Sequence, residues 1–176
     1  MGHENLIRLL QEAGKLKRTR RTGWVEAGVR GPESVADHSY RVALLSMLLS
    51  DQRGLDTLKA VRMALLHDLA EAVTGDLTPR QKTPEHRAEG LRVFAGLVGG
   101  LPTRQRRTYL EAMEEYEAGG TGEAALVRAA DRLEMVLQAM DYVESGAGAN
   151  LDRFMEVQVP AEYAGLYRSL LEKKAK

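Results

Sequence analysis

Four side chains able to bind a metal ion, His38, His67, Asp68 and Asp131, are spread through a chain of 176 residues. Each lies on or beside an apolar stripe of helical spacing, where an ionised carboxylate or an unpaired imidazole is costly unless something compensates it. A divalent cation would compensate all four. Two imidazoles and two carboxylates form a mixed nitrogen and oxygen set suited to one Mn, Co, Fe or Zn ion, with positions left for water and substrate. Only His3 and His86 remain as further imidazoles, which favours one ion over a pair. The lack of cysteine removes thiolate sites, iron–sulfur clusters, disulfides and cysteine nucleophiles together. Two Asp charges balance a divalent ion, so the site would still accept a phosphate dianion.

Every one of these residues also has a plainer reading. His38 shares a stripe with Val42, Leu45 and Leu49 and could be a core histidine bonded to a backbone carbonyl. His67 and Asp68 are adjacent, about 100° apart on a helix, and Glu71 projects over the same patch. Asp68 and Glu71 could instead be solvated and pair with Arg62 or Lys59, although the run MALLHDLAEAV embeds them in apolar residues. Asp131, flanked by Leu126, Ala130, Leu133 and Leu137, could be paired with Arg128 or Arg132. Asp76 follows Gly75 and could be a turn-former. The basic run Lys15, Lys17, Arg18, Arg20 and Arg21 could be an ordinary solvated face.

The elements that must position these groups read as helices almost throughout, so the fold class is all-α, with about six to seven helices in one domain over 1–176. Outside a short alternating stretch near Val157 to Val159, no strand pattern appears. A first helix over Asn5 to Ala13 is followed by an irregular basic segment whose glycines and Pro32 forbid a long helix. A second helix starts at Val35 to Asp37, with Ser34 or Asp37 as its cap, and runs to Gly54. A third is expected unbroken from Asp56 to Gly75, and a fourth from Glu85 to Val98. Pro102 begins a fifth that reaches Ala118, and a long sixth over Glu123 to Glu144 carries Asp131. The GAGAN stretch reads as a flexible connector, and Ala161 to Lys174 as a terminal helix.

Twenty-five basic and twenty-five acidic residues balance, which gives no reason to expect a nucleic-acid polymer as partner. No stretch approaches the roughly 20 apolar residues of a membrane span, and the first residues lack a signal-peptide pattern. The expectation is a soluble, cytoplasmic protein that does not engage a membrane.

The segments LKRTRRTGW, GPESVADHSYRVALLSM, MALLHDLAEAVTGDLTP and EEYEAGGTGEAALVRAADRLEMVLQA, in this order and spacing, resemble the HD-domain superfamily, and within it the short 5'-deoxynucleotidases. The resemblance is strongest over 16–142. It implies an all-helical fold in which His38, His67, Asp68 and Asp131 bind one divalent metal. It further implies a catalytic role for Glu71, a phosphate-region role for Arg21, a nucleotide contact for Asp76 and an aromatic contact for Trp24. Lys17 or Arg18 could assist Arg21.

The implied activity is metal-dependent hydrolysis of deoxyribonucleoside 5'-monophosphates, with Glu71 acting as acid or as base. Another HD phosphohydrolase activity, on a deoxynucleoside triphosphate or an alarmone, is the nearest alternative. A non-catalytic helical module clipped by the metal is the other. Met47, Met113, Met135, Met140, Phe94 and Tyr116 read as core, with some available to the seam of the homodimer that the resemblance implies.

Overall fold

A computed structural model describes residues 3–147 and 151–174. Helices α1 (Glu4–Ala13), α2 (Thr22–Glu26), α3 (Val35–Arg53), α4 (Thr57–Leu66) and α5 (Glu71–Thr74) form the first half. The second half is built from α6 (Pro84–Val98), α7 (Thr103–Ala118), α8 (Gly122–Glu144), α9 (Asp152–Met155) and α10 (Ala164–Lys174). Short 3-10 turns occupy Gly14–Lys17 and Ala161–Tyr163. The all-α expectation therefore holds among the described residues.

Three short helices, α2, α5 and α9, were not anticipated. The Val157 to Val159 stretch forms no strand, and both valines pack against the core instead. The single bridge among the described residues joins Arg20 to Ser34. Most of the GAGAN connector, residues 148–150, lies outside the described residues. No described helix is long and apolar enough to cross a membrane.

Helix α8 is the central element. Ala124, Leu126, Val127, Ala129, Ala130, Leu133, Val136 and Ala139 are all fully buried, the pattern of a helix enclosed on most sides. Helix α3 packs on α8 and α4, and α7 covers both α4 and α8. One apolar cluster joins Val42, Leu49, Met63, Ala64, Leu133 and Tyr163. A second joins Leu16, Val35, Leu69, Phe94, Val98 and Met113. The chain passes from the first cluster to the second between Ala64 and Leu69, across His67 and Asp68.

That passage is where the expected third helix breaks. His67 N still donates to Met63 O at 2.9 Å, but then Leu69 N turns to Leu66 O and Glu71 N to Asp68 O, both at 3.0 Å. These bonds span three residues, the tighter 3-10 spacing. The cause is local: His67 Nδ1 bonds Ala64 O at 2.7 Å, occupying the carbonyl that a continuing helix would give to Asp68 N. Periodicity could not reveal the break, because Met63, Ala64, Leu66, Leu69, Ala70 and Ala72 are apolar on every side of the turn.

Helix α3 begins as expected, with both proposed capping residues in use. Ser34 Oγ accepts from Asp37 N at 3.2 Å, and Asp37 Oδ2 accepts from Ser34 N at 2.9 Å, a reciprocal capping box. This fixes the helix start one turn before His38. Ser34→Ala should therefore lower unfolding free energy by about 1 kcal/mol, seen as a fall of roughly 2–4 °C in the thermal midpoint, while Ser34→Thr should stay near wild type.

Candidate active site

His38 is fully buried near the start of α3. Its Nδ1 meets Glu134 Oε2 of α8 at 2.5 Å, and Glu134, equally buried, also accepts Arg41 Nε–H through Oε1 at 2.9 Å. The acceptor is thus a carboxylate from another helix and not the backbone carbonyl of the plainer reading. Glu134 was missed from the sequence. The available signal was its place three residues after Asp131 inside an otherwise apolar run.

His67 Nδ1 is occupied by Ala64 O, so both imidazoles are held by Nδ1 and turn Nε2 toward the same point. His67 Nε2 lies 3.1 Å from Asp68 Oδ2, His38 Nε2 lies 3.7 Å from the same oxygen, and His38 Nε2 lies 3.1 Å from Asp131 Oδ1. Ligand atoms of His38, His67 and Asp68 all fall within 4.8 Å of one another, and Asp131, outside this trio, approaches it through His38. Despite these short separations, neither Nε2 atom has a hydrogen-bond partner among the described residues. Buried polar atoms left this way cost about 1–3 kcal/mol each. Two partnerless ring nitrogens and neighbouring carboxylate oxygens converging on one point fit a shared cation, so the residues present suit the implied metal.

The plainer pairings are engaged elsewhere. Arg128 donates to Tyr116 O and Glu117 O, Arg132 to Gln158 O, and Lys59 pairs with Glu115 and Glu123. Burial alone would lift the Asp68 carboxyl, but His67, Arg21 and His38 outweigh it and hold the group well below the usual range. Burial also opposes ionisation of Asp131, and His38 with His67 and Arg21 brings it down to about 2. Burial and Arg21 work against positive charge on His38, yet Asp131 and Glu134 carry its pKa up to about 10. Each carboxylate here favours positive charge at the centre.

His67, Asp68 and Asp131 open into a cleft of about 970 Å³ that Arg21, Glu71, Asp76 and Lys82 also line, with His38 buried behind them. Arg21 stands at the N-terminus of α2 and reaches Asp76 Oδ1 at 3.2 Å and Asp68 Oδ2 at 3.4 Å. Asp76 is more than a turn-former: it also accepts from Thr22 N, tying α2 to the end of α5. Glu71 pairs with Lys82 through Oε1 at 3.2 Å, and its buried Oε2 has no partner among the described residues. Burial, with the charge of Asp68, pushes the Glu71 pKa up to about 9. Lys82, on the connector between α5 and α6, was not singled out from the sequence.

Trp24 forms part of the cleft wall but is 2% exposed. Its ring packs on Phe154 at 4.1 Å and Tyr142 at 5.3 Å, and its Nε1–H is held by Glu33. Lys17 and Arg18 are exposed outside the residues that line the cleft. Of the basic run only Arg21 enters the site. Phe94, Met113 and Met140 are core as expected, Tyr116 and Met135 pack against the core half-buried, and all of these but Met140 also line the cleft.

The 5'-deoxynucleotidase HDDC2 of Homo sapiens is 41% identical over 144 residues, 80% of this chain and 70% of that protein. Its namesake in Danio rerio is 35% identical, covering 98% of this chain and 90% of the relative. A solved structure, a conserved hypothetical protein from Pyrococcus furiosus, is similar with a TM-score of 0.76 at 36% identity, covering 94% of this chain and 99% of that one. Residues 13–165 match the HD domain family, a span that contains every residue discussed at the cleft, and the chain belongs to that family.

Proposed function

We propose that this chain hydrolyses deoxyribonucleoside 5'-monophosphates to deoxynucleoside and phosphate, using one divalent ion, Mn, Co, Fe or Zn, held by His38, His67, Asp68 and Asp131. The observation that carries this reading is the approach of the His38, His67 and Asp68 ligand atoms to within 4.8 Å, with His67 and Asp68 lining a cleft shared with Arg21 and Glu71. Relatives named 5'-deoxynucleotidase at 41% and 35% identity support the substrate class. A divalent cation bound there supplies positive charge that polarises a phosphoryl oxygen and acidifies water.

The chain's own groups do the rest. Arg21, held in place by Asp68 and Asp76, presents its remaining donors to the phosphate and stabilises charge as it develops. Water adds its oxygen to phosphorus as the bond to the 5'-oxygen breaks. Glu71, protonated at neutral pH, delivers the Oε2 proton to that leaving oxygen, and the proton released by water passes to solvent. Of the two roles open to Glu71, geometry and burial favour the acid. Lys82 fixes the other Glu71 oxygen. Asp76 keeps lone pairs for a sugar hydroxyl, and Phe154, backed by the buried Trp24, gives the nucleotide an apolar surface.

We also read the chain as a homodimer. Of the residues considered for a seam, Met47 stays exposed, beside Tyr40, Leu44 and Leu48 on one face of α3, an apolar stripe that a second copy would cover. Leu48→Glu should then convert a dimer to a monomer by light scattering, and a wild type that is already monomeric removes this assembly.

Phosphate release from dAMP should be lost on chelation and return with added divalent ion. Asp68→Ala should lose both the ion and turnover. A panel in which triphosphates yield pyrophosphate while monophosphates are untouched would replace this function with another phosphohydrolase activity.

Glu71→Gln should keep ion uptake and lose turnover. It should also change stability in a defined direction. A carboxyl whose pKa rises from 4.5 unfolded to about 9 folded makes the wild type less stable as pH climbs through that window. In chelator-treated protein the advantage of Glu71→Gln should therefore grow with pH, by at most ~1.4 kcal/mol per unit. Equilibrium unfolding across roughly pH 5 to 8 measures this, and a flat difference shows that Glu71 is ionised in the fold.

A further inference from the structure

We infer that Glu134 is a positioning residue for the metal centre: it fixes the tautomer of His38 from behind, so that Nε2 faces the site as a lone pair and not as N–H. The inference rests on the reading of His38 as a ligand and adds a residue that neither that reading nor the sequence pattern supplied. His38 and Glu134 are 96 residues apart, both fully buried, and joined at 2.5 Å between Nδ1 and Oε2. A neutral imidazole carries one donor and one acceptor nitrogen, so Nε2 can bind an ion only if Nδ1 holds the proton. A group that can only accept must therefore stand behind Nδ1.

Arg41 makes the choice of side chain specific. Its guanidinium has donors and no acceptor, and its Nε–H meets Glu134 Oε1 at 2.9 Å. The residue at 134 thus faces a donor on each side, and a carboxylate, with two acceptor oxygens, satisfies both. Arg41 is itself tied to α8 through Asp141 at 2.6 Å and through Gln138. Those bonds hold the carboxylate edge toward His38. Glu33, whose carboxylate also lies within this group, is engaged by Trp24 Nε1–H at 2.9 Å. Of Glu33 and Glu134, it is Glu134 that meets His38 Nδ1 at bonding distance.

Glu134→Gln separates this role from mere packing, since glutamine matches the shape but has only one acceptor end. Arg41 draws the carbonyl oxygen, the amide N–H faces Nδ1, and the His38 proton moves to Nε2. Calorimetric titration of the full chain with Co2+ should show affinity about 10- to 100-fold weaker than wild type. Adding Arg41→Met removes the competing donor, lets the glutamine carbonyl turn to Nδ1–H, and should recover most of the loss. A purely structural role makes the double variant worse than the single one. Wild-type affinity in Glu134→Gln, or no recovery in the double variant, overturns the inference.

A measurement on the unaltered protein stands beside these. In the zinc-loaded wild type, nitrogen-15 spectra should place the His38 ring proton on Nδ1, and a proton on Nε2 overturns the inference whatever the variants do. A wild type that takes up none of Co2+, Mn2+ or Zn2+ removes the metal reading and this inference together. Wild-type binding matched by Glu134→Gln removes only the role of Glu134.

Discussion

Asp68 Oδ2 is the point on which the charge balance of the cleft depends. It lies 3.1 Å from His67 Nε2, 3.4 Å from Arg21 Nη1 and 3.7 Å from His38 Nε2. A carboxylate buried this deeply is tolerated only when opposite charge and hydrogen bonds surround it. Its partners come from the start of α2, the first turns of α3 and the break between α4 and α5. One side chain therefore requires three separated segments to meet, and it sits where the chain crosses from one apolar cluster to the other. Packing on both sides holds the carboxylate in place, and the carboxylate in turn selects what approaches it.

Much of this was legible in the sequence, for identifiable reasons. Ser34 with Asp37, Pro102, Gly54 and the apolar rhythm of α3 and α8 are local signals, and the structure places those helices within a residue or two of expectation. His38, His67, Asp68 and Asp131 stood out because polar groups in apolar stretches need a reason. Glu134 belonged to the same class but escaped, since a glutamate in a helix reads by default as surface. Lys82 escaped because a lysine in a polar connector carries no pattern at all. The break at His67 was invisible because it is made by a side chain competing for a carbonyl, an event that leaves the apolar spacing unchanged.

Arg21 and Asp76 illustrate how the fold prepares a charged group before any substrate arrives. Gly75 ends α5 with φ 78° and ψ 162°, a conformation that a residue with Cβ adopts only with strain, and this delivers Asp76 to Arg21 and Thr22 N. The guanidinium is already oriented, so little reorganisation is needed when a phosphate binds. On the far side, Gly23 leaves room for Phe154: an added Cβ would stand 3.2 Å from its ring. The short α9 thus reaches the cleft wall because α2 has no side chain at that position.

The two imidazoles are oriented by different means, and the difference matters for how the site responds to change elsewhere. His67 takes its acceptor from Ala64, three residues back in the same turn, so its direction is set by local backbone alone. His38 takes its acceptor from α8, across a contact between helices. A shift of α8 along α3 would leave His67 in place while moving Glu134 and Asp131 together, against the bonds by which Arg41 of α3 holds Glu134, Gln138 and Asp141 on successive turns of α8. The α3 to α8 contact is therefore the adjustable side of the centre and the α4 to α5 turn its fixed side. Close packing by Ala129, Ala130 and Leu133, all fully buried, keeps the adjustable side from moving.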